Sequence, residues 1–217
     1  MFTRRVTLAA LFVGTFGGSQ NFANLAMAQE NGGPDAVAAK LLKSVSPLGD
    51  RSVGKADAPV VMVVYGSTTC EHSAEFSQNV WPILNEKYVV SGKMRMIFRE
   101  LPLDNLALAT LTLAHSVDAE KYFALLDVFW KRQKLWRNSQ PKQELFKIMQ
   151  MTGMTSDTFE TVLQDKQILN AIYNAGRSAQ AEFGIRKTPT IFINGRLAVG
   201  HEDPAEFITM IDAALLA

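Results

Sequence analysis

An apolar run opens the central part of the chain, where Val60-Val61-Met62-Val63-Val64-Tyr65 shows no alternation of apolar and polar residues. A strand with one face in solvent would alternate, so this run predicts a strand that is covered on both faces. Strands of this kind are typical of sheets flanked by helices, with parallel pairing. The pattern therefore favours an α/β core with residues 60–65 near its centre.

Helical periodicity follows the strand between about residues 71 and 90. The apolar positions that recur at helical spacing are Phe76, Val80, Ile83 and Leu84. Pro82 lies inside this pattern, where proline removes a backbone donor and disturbs the preceding turn. We therefore expect a bent first helix.

A second strand is predicted at Met94 to Leu101, and Pro102 ends it. Apolar stripes at helical spacing then continue without another strand pattern, which predicts a helical insertion at about residues 103–183. Its aromatic and methionine positions fit either a plain core, the commoner outcome, or a peptide-binding groove. These positions are Phe123, Phe129, Trp130, Trp136, Met149, Met151 and Met154.

The strand pattern returns at Thr190-Ile191-Phe192-Ile193. Asn194-Gly195 follows it, and both residues tolerate the positive φ of a type I′ turn, so a hairpin is predicted. A last helix is expected from Asp203-Pro204, because aspartate can cap the free N–H groups and proline loses nothing at the first helical position.

The first 28 residues have the pattern of a cleaved secretory signal. Arg4 and Arg5 precede the mostly apolar stretch 6–18, and Ala26-Met27-Ala28 fits a signal-peptidase site, with cleavage near Ala28-Gln29. A single membrane anchor is the alternative, but the apolar stretch is shorter than the roughly 20 residues that span a bilayer. We expect a periplasmic or otherwise exported protein with no stable membrane insertion after cleavage.

The remaining chain divides into an N-terminal arm at residues 29–57 and one domain at residues 58–217. The 217 residues carry a formal net charge of +1. Removal of residues 1–28, which hold two arginines and no acidic residue, would leave 20 basic and 21 acidic residues. A chain so close to neutrality gives no electrostatic reason to expect binding to nucleic acid or to an anionic membrane.

Cys70 is the single cysteine of the chain, and it lies between the first predicted strand and the first predicted helix. An exported protein normally uses structural cysteines in pairs, so Cys70 is either an inert buried side chain or a reactive thiol. A helix N-terminus favours the thiolate, as would a protonated His72, whereas Glu71 opposes it. His115 and His201 are interpreted as structural or surface residues, and the histidine spacing fits no zinc site.

The order of elements, together with Cys70-Glu71-His72-Ser73 and Lys187-Thr188-Pro189-Thr190, resembles the DsbA-like branch of the thioredoxin superfamily. The resemblance extends over nearly all of the chain after residue 28. It implies a thioredoxin-like α/β fold with an inserted helical subdomain. It also implies that Cys70 is the nucleophile, that His72 and Ser73 adjoin it, and that Thr188 and a cis Pro189 dock the substrate backbone.

One departure from the family pattern bears on function: Ser73 occupies the place of the second cysteine of C-x-x-C. Serine forms no disulfide, so Cys70 cannot store one within its own motif, whether Ser73 is native or introduced. We therefore expect a monothiol thiol-disulfide oxidoreductase that forms mixed disulfides through Cys70, closer to an isomerase or reductase than to a self-contained dithiol oxidase. Ser73 is expected to donate a hydrogen bond to the thiolate.

Its expected partners are exported proteins that contain cysteine, with no cofactor other than an external thiol such as glutathione. A second hypothesis is a non-catalytic peptide-binding or chaperone module on a degenerate thioredoxin-like fold. A third, weaker one is a serine-type site resembling that of the glutathione transferases, in which Ser73 would activate glutathione. The export signal argues against this third hypothesis.

Overall fold

The computed structural model describes residues 33–198 and 203–217, and this part of the chain folds around a mixed sheet. Within these residues the sheet has five strands in the order β1-β3-β2-β4-β5. The strands are β1 (Arg51–Val53), β2 (Val60–Gly66), β3 (Met94–Glu100), β4 (Thr190–Ile193) and β5 (Arg196–Ala198). The order of strands and helices is the thioredoxin-like arrangement that the sequence resemblance implies.

The central strand is β2, as its apolar run predicts, with β3 on one side and β4 on the other. Among the described strands, parallel pairing, which the run also favoured, is found only between β2 and β3. β4 pairs antiparallel with β2 because it returns from the helical insertion in the opposite direction, and β5 pairs antiparallel with β4 through a hairpin. β1 is antiparallel to β3. The parallel register aligns Gly66 with Glu100, so both strands end at the same edge of the sheet.

Helices cover both faces of the sheet. Before the insertion lie α1 (Gly33–Lys43), α2 (Glu71–Glu75) and α3 (Trp81–Leu84). The insertion contains α4 (Asn105–His115), a 3₁₀ turn (Ala119–Lys121), α5 (Tyr122–Lys131), α6 (Gln133–Trp136), α7 (Pro141–Gln150), α8 (Ser156–Leu163) and α9 (Lys166–Phe183). After β5 the chain ends in α10 (Pro204–Leu215). The predicted helical block between two strands is confirmed.

Alternate side chains of β2 belong to two separate cores, which explains why the strand shows no polar face. Met62 and Val64 pack with α3, α10 and the aromatic residues of the insertion. Val63 and Tyr65 pack on the opposite face with Leu41 of α1 and Ala179 of α9. A strand buried on both faces requires apolar residues at successive positions.

The first helical run after β2 is not a regular helix. Two π turns, Phe76–Val80 and Asn85–Val89, alternate with α2 and α3. The first of them ends where Trp81 donates its N–H to the carbonyl of Phe76, one residue before Pro82, whose nitrogen has no hydrogen to donate. The sequence predicted a disturbance of the helix at Pro82. The structure has a widened helical turn, the π turn Phe76–Val80, just before this residue.

The hairpin after β4 is confirmed in detail. Asn194 and Gly195 have φ angles of 45° and 80°, as the type I′ turn requires. The Asn194 side chain also accepts from the Val61 N–H at 2.7 Å, which ties the turn to the central strand. At the start of α10, Asp203 accepts from the Ala205 N–H at 2.8 Å, as its predicted capping role requires.

The predicted N-terminal arm contributes to the sheet. Within it, α1 places Leu41 in the second core with no exposed surface, and β1 pairs antiparallel with β3. The sequence did not predict β1, because three residues are too few to show a period. Residues 1–28, including the predicted cleavage position, lie outside the described residues.

Candidate functional site

Cys70 lies where the loop after β2 meets the first turn of α2. Its backbone is extended, with φ −83° and ψ 125°, so it stands at the N-cap position, and its side chain is half-buried. The thiol donates to the Thr188 carbonyl across 3.1 Å, a contact that joins residues 118 positions apart in sequence. The sulfur is therefore held at the helix N-terminus and faces the strand-side segment that the sequence predicted.

The Thr188–Pro189 peptide bond is cis, as predicted. Thr188 is 7% exposed, and its hydroxyl has no hydrogen-bond partner in the part of the chain that the structure describes. By contrast, the Thr190 hydroxyl donates to the Lys187 carbonyl at 2.6 Å. The structure thus brings Cys70, Thr188 and Pro189 together and leaves one buried hydroxyl beside them unpaired.

Ser73 lies one turn after Cys70 and is 3% exposed. Its hydroxyl oxygen accepts from the Ser67 N–H at 3.4 Å. No Ser73–Cys70 hydrogen bond is present among the described residues, so the predicted contact with the sulfur is not found in this thiol form. The reason is local: Ser73 faces inward against the loop backbone, whereas the Cys70 sulfur faces Thr188.

His72 and Glu71 occupy the exposed side of the first turn of α2. Their position next to Cys70 follows directly from the sequence. Both side chains are placed where an approaching molecule would meet them, while Ser73, on the same turn, is enclosed. Of the residues predicted for the site, Cys70, Thr188 and Pro189 form its centre, Ser73 lies behind it and His72 lies at its rim.

Two residues of the insertion that the sequence did not assign to the site hold the Cys70 loop. The Trp130 Nε1–H donates to the Ser67 carbonyl at 3.1 Å. The Gln133 side-chain amide donates to the Thr68 carbonyl at 2.7 Å and to the Cys70 carbonyl at 3.1 Å. We call Trp130 and Gln133 the loop clamp. A glutamine three residues from both Trp130 and Trp136 is the one sequence signal that could have indicated it.

Comparison with known proteins places this geometry in a family. Residues 47–213 match the family described as thioredoxin. The structure of α-DsbA1 from Wolbachia pipientis superimposes with a TM-score of 0.75 at 29% identity, covering 82% of this chain and 96% of that one. The chain belongs to the DsbA-like branch of the thioredoxin family. It is thereby a member of a family of thiol-disulfide oxidoreductases.

One further relative of this DsbA-like protein and one structure with the same fold extend the comparison. A protein-disulfide oxidoreductase of Rickettsia bellii, so described by name, is 30% identical over 149 residues, which is 67% of this chain and 57% of that protein. The chain thus spans less than two thirds of that relative. A protein-disulfide isomerase from Novosphingobium aromaticivorans shares the fold, with a TM-score of 0.69 at 19% identity.

An apolar cavity of about 230 Å³ lies behind the site of this DsbA-like chain. Ser73 and Pro189 form one wall, and Phe123 and Trp130 form another. Of the seven aromatic and methionine positions considered for a groove, three are plain core: Phe129, Trp136 and Met149 have no exposed surface. Only Phe123 and Trp130 of that set line the cavity, whereas Met151 is 65% exposed.

A buried polar network joins the end of β3 to the insertion. The Glu100 carboxylate oxygen Oε1 lies 2.6 Å from the Tyr122 hydroxyl and 2.6 Å from His115 Nε2. Burial, together with the charge of Glu100, raises the pKa of Tyr122 well above its ordinary value, so the phenol remains a donor at neutral pH. The sequence left open whether His115 is a structural or a surface residue. Its side chain is 3% exposed, so it is structural. His201 lies outside the described residues.

The described helices include none with both the length and the apolar character needed to cross a bilayer.

Proposed function

We propose that this chain is an exported monothiol oxidoreductase that exchanges disulfides with client proteins through Cys70. The observation that carries the proposal is the Cys70 thiol, half-buried at a helix N-terminus and 3.1 Å from the carbonyl that precedes a cis proline. Membership in the DsbA-like family supports the reaction class. Export rests on the signal pattern of residues 1–28.

The first step is capture of a client disulfide. The Cys70 thiolate attacks one client sulfur, a new Cys70–client S–S bond forms, and the other client sulfur leaves as a thiolate that takes a proton from water. The helix N-terminus favours the charged sulfur before the attack. The Thr188 carbonyl would accept from a backbone N–H of the client once the thiol hydrogen is gone, and His72 would contact the client at the rim.

Release requires a second thiol, because Ser73 supplies none. If a second client cysteine attacks the client sulfur of the mixed disulfide, the client keeps a rearranged disulfide and Cys70 leaves as a thiolate, which is isomerisation. If two external thiols act in turn, the client becomes a dithiol and the external thiols become one disulfide, which is reduction. Electrons balance in both cases, and Ser73 takes no part in electron transfer.

The test is the reaction of the folded protein with glutathione disulfide, followed by mass spectrometry. We expect one glutathione adduct on the wild type and none on Cys70→Ala. Ser73→Cys should convert the transient adduct into an internal disulfide and release the glutathione. A folded wild-type protein that forms no adduct would overturn the proposal.

A non-catalytic client-binding module is the rival, and the apolar cavity beside Pro189 favours it. Cys70→Ala separates the two functions in an insulin-reduction assay with glutathione and an aggregation assay with an unfolded client. Loss of turnover in the variant supports exchange catalysis. Full protection of the client by both proteins, with no turnover by the wild type, supports the binding module.

A further inference from the structure

A cleft of about 390 Å³ lies between the helix that follows Cys70 and the insertion. One wall is α2 with the π turn that follows it, and the other is the end of α5 with α6. Its volume falls in the range of about 300–1,000 Å³ that is usual for small-molecule sites. The apolar cavity behind Ser73, at about 230 Å³, falls below that range.

The two walls of the cleft carry opposite charges. Glu71 and Glu75 lie on the α2 wall, and Lys131 and Lys134 lie on the insertion wall. Lys131 forms a salt bridge of 2.8 Å with Asp127, which lies outside the cleft lining. Within residues 33–198 and 203–217, Glu71, Glu75 and Lys134 have no salt-bridge partner. The cleft therefore presents facing charges that do not neutralise each other.

The cleft adjoins the backbone of the nucleophile itself. Glu71 is the next residue after Cys70, and the Ala74 N–H, from the same wall, donates to the Cys70 carbonyl at 3.2 Å. Gln133 contributes to the cleft lining and donates to the same carbonyl at 3.1 Å. Because consecutive Cα atoms are about 3.8 Å apart, the cleft begins at Glu71 within the length of a tripeptide, roughly 10 Å, of Cys70.

We propose that this cleft binds the glutathione half of a mixed disulfide on Cys70, an assignment that rests on the proposed function and names its external thiol. Glutathione carries two carboxylates and one ammonium on a short peptide. The lysines of the insertion wall complement the carboxylates, and the glutamates of the α2 wall complement the ammonium. This pairing favours a zwitterionic thiol peptide over a neutral thiol or a purely anionic one.

The chemical step is a simple exchange. The Cys70 thiolate attacks one sulfur of glutathione disulfide, a Cys70–glutathione S–S bond forms, and glutathione leaves as a thiolate that is protonated by water. In the reverse direction, a glutathione thiolate regenerates free Cys70. No other oxidant or reductant is needed.

The test compares rate constants of the full-length wild type and variants with glutathione disulfide and with neutral hydroxyethyl disulfide. For the double variant Lys131→Gln/Lys134→Gln we expect a roughly 3- to 10-fold slower reaction with glutathione disulfide, and less than about a twofold change with hydroxyethyl disulfide. Lys142→Gln/Lys147→Gln on α7, two exposed lysines outside the cleft, is the control for the loss of two positive charges and should change neither rate.

The ammonium side of the assignment is tested with Glu75→Gln. Dithiodiglycolate is an anionic disulfide without ammonium groups, so removal of Glu75 should speed its reaction and slow that of glutathione disulfide. The cleft assignment is overturned if the lysine variants change both disulfides equally or change neither. A wild-type protein that reacts with none of the three disulfides refutes the proposed function instead, so the two failures are distinct.

Discussion

The two sides of Cys70 differ in how completely their polar groups are paired. On the insertion side, the loop clamp satisfies the carbonyls of Ser67, Thr68 and Cys70 through three hydrogen bonds. On the strand side, the sulfur meets the single carbonyl of Thr188, whose own buried hydroxyl is unpaired among the described residues. The insertion therefore fixes the loop, and the strand side is left open to form new bonds with a client.

The largest expected effect comes from breaking the clamp with Gln133→Leu. Gln133 is 5% exposed, and the change leaves the Thr68 carbonyl without its donor and the Cys70 carbonyl with the Ala74 N–H alone, so we expect a loss of about 2–4 kcal/mol in the free energy of unfolding. The reaction of Cys70 with glutathione disulfide should also slow several-fold, because the sulfur loses its fixed position. Denaturant unfolding and adduct formation measure the two effects.

Gln143→Leu is the matched control for the clamp, since Gln143 lies on α7 with its side chain exposed. It should leave both measurements unchanged. A Gln133→Leu protein with wild-type stability and rate would show that the clamp does not hold the loop.

A smaller effect is expected from Tyr122→Phe, which disturbs the insertion away from the loop. The phenol donates to Glu100 at 2.6 Å, and phenylalanine preserves the ring that packs against Phe98 and Phe123. We expect a loss of about 1–3 kcal/mol in the free energy of unfolding, because the buried carboxylate loses a donor. The rate of Cys70 with glutathione disulfide should stay within about twofold of the wild type.

The comparison with Gln133→Leu is informative because both variants act on the same insertion. Tyr173→Phe, whose side chain is 49% exposed, serves as the control and should be neutral. Tyr122→Phe could instead slow the reaction of Cys70 with glutathione disulfide as much as Gln133→Leu does. In that case the position of the Cys70 loop would depend on the docking of the whole insertion and not on the clamp.

The contrast between the two sides of Cys70 also shows which features of the fold and the site sequence patterns could predict. The buried β2, the Asn194-Gly195 turn, the position of Cys70 and the cis Pro189 each depend on local pattern or on a motif of the family. The clamp depends on contacts such as that between Gln133 and Thr68, 65 positions apart, which no local period records. The burial of His115 likewise depends on how α4 and α5 dock on the end of β3.

Two other differences have the same origin. Ser73 was expected to contact the sulfur because it lies one turn away, but its inward orientation is set by the Ser67 backbone. The edge strand β1 has three residues and is defined by its pairing with β3, not by its own composition. Local spacing thus located the reactive residue, while the groups that hold it in place are set by tertiary packing.

The smallest expected effect tests the open strand side through Thr188→Val. The change replaces an unpaired buried hydroxyl with a methyl group of similar shape, so the free energy of unfolding should stay the same or rise by up to about 1 kcal/mol. Thr190→Val, two residues along, is the matched control: it loses the bond to Lys187 and should lower stability by about 0.5–1.5 kcal/mol. Equal losses in the two variants, measured by denaturant unfolding, would mean that the Thr188 hydroxyl is already paired and that the strand side is not open. A loss confined to Thr190→Val would confirm that the Thr188 hydroxyl beside Cys70 is unpaired in the folded protein.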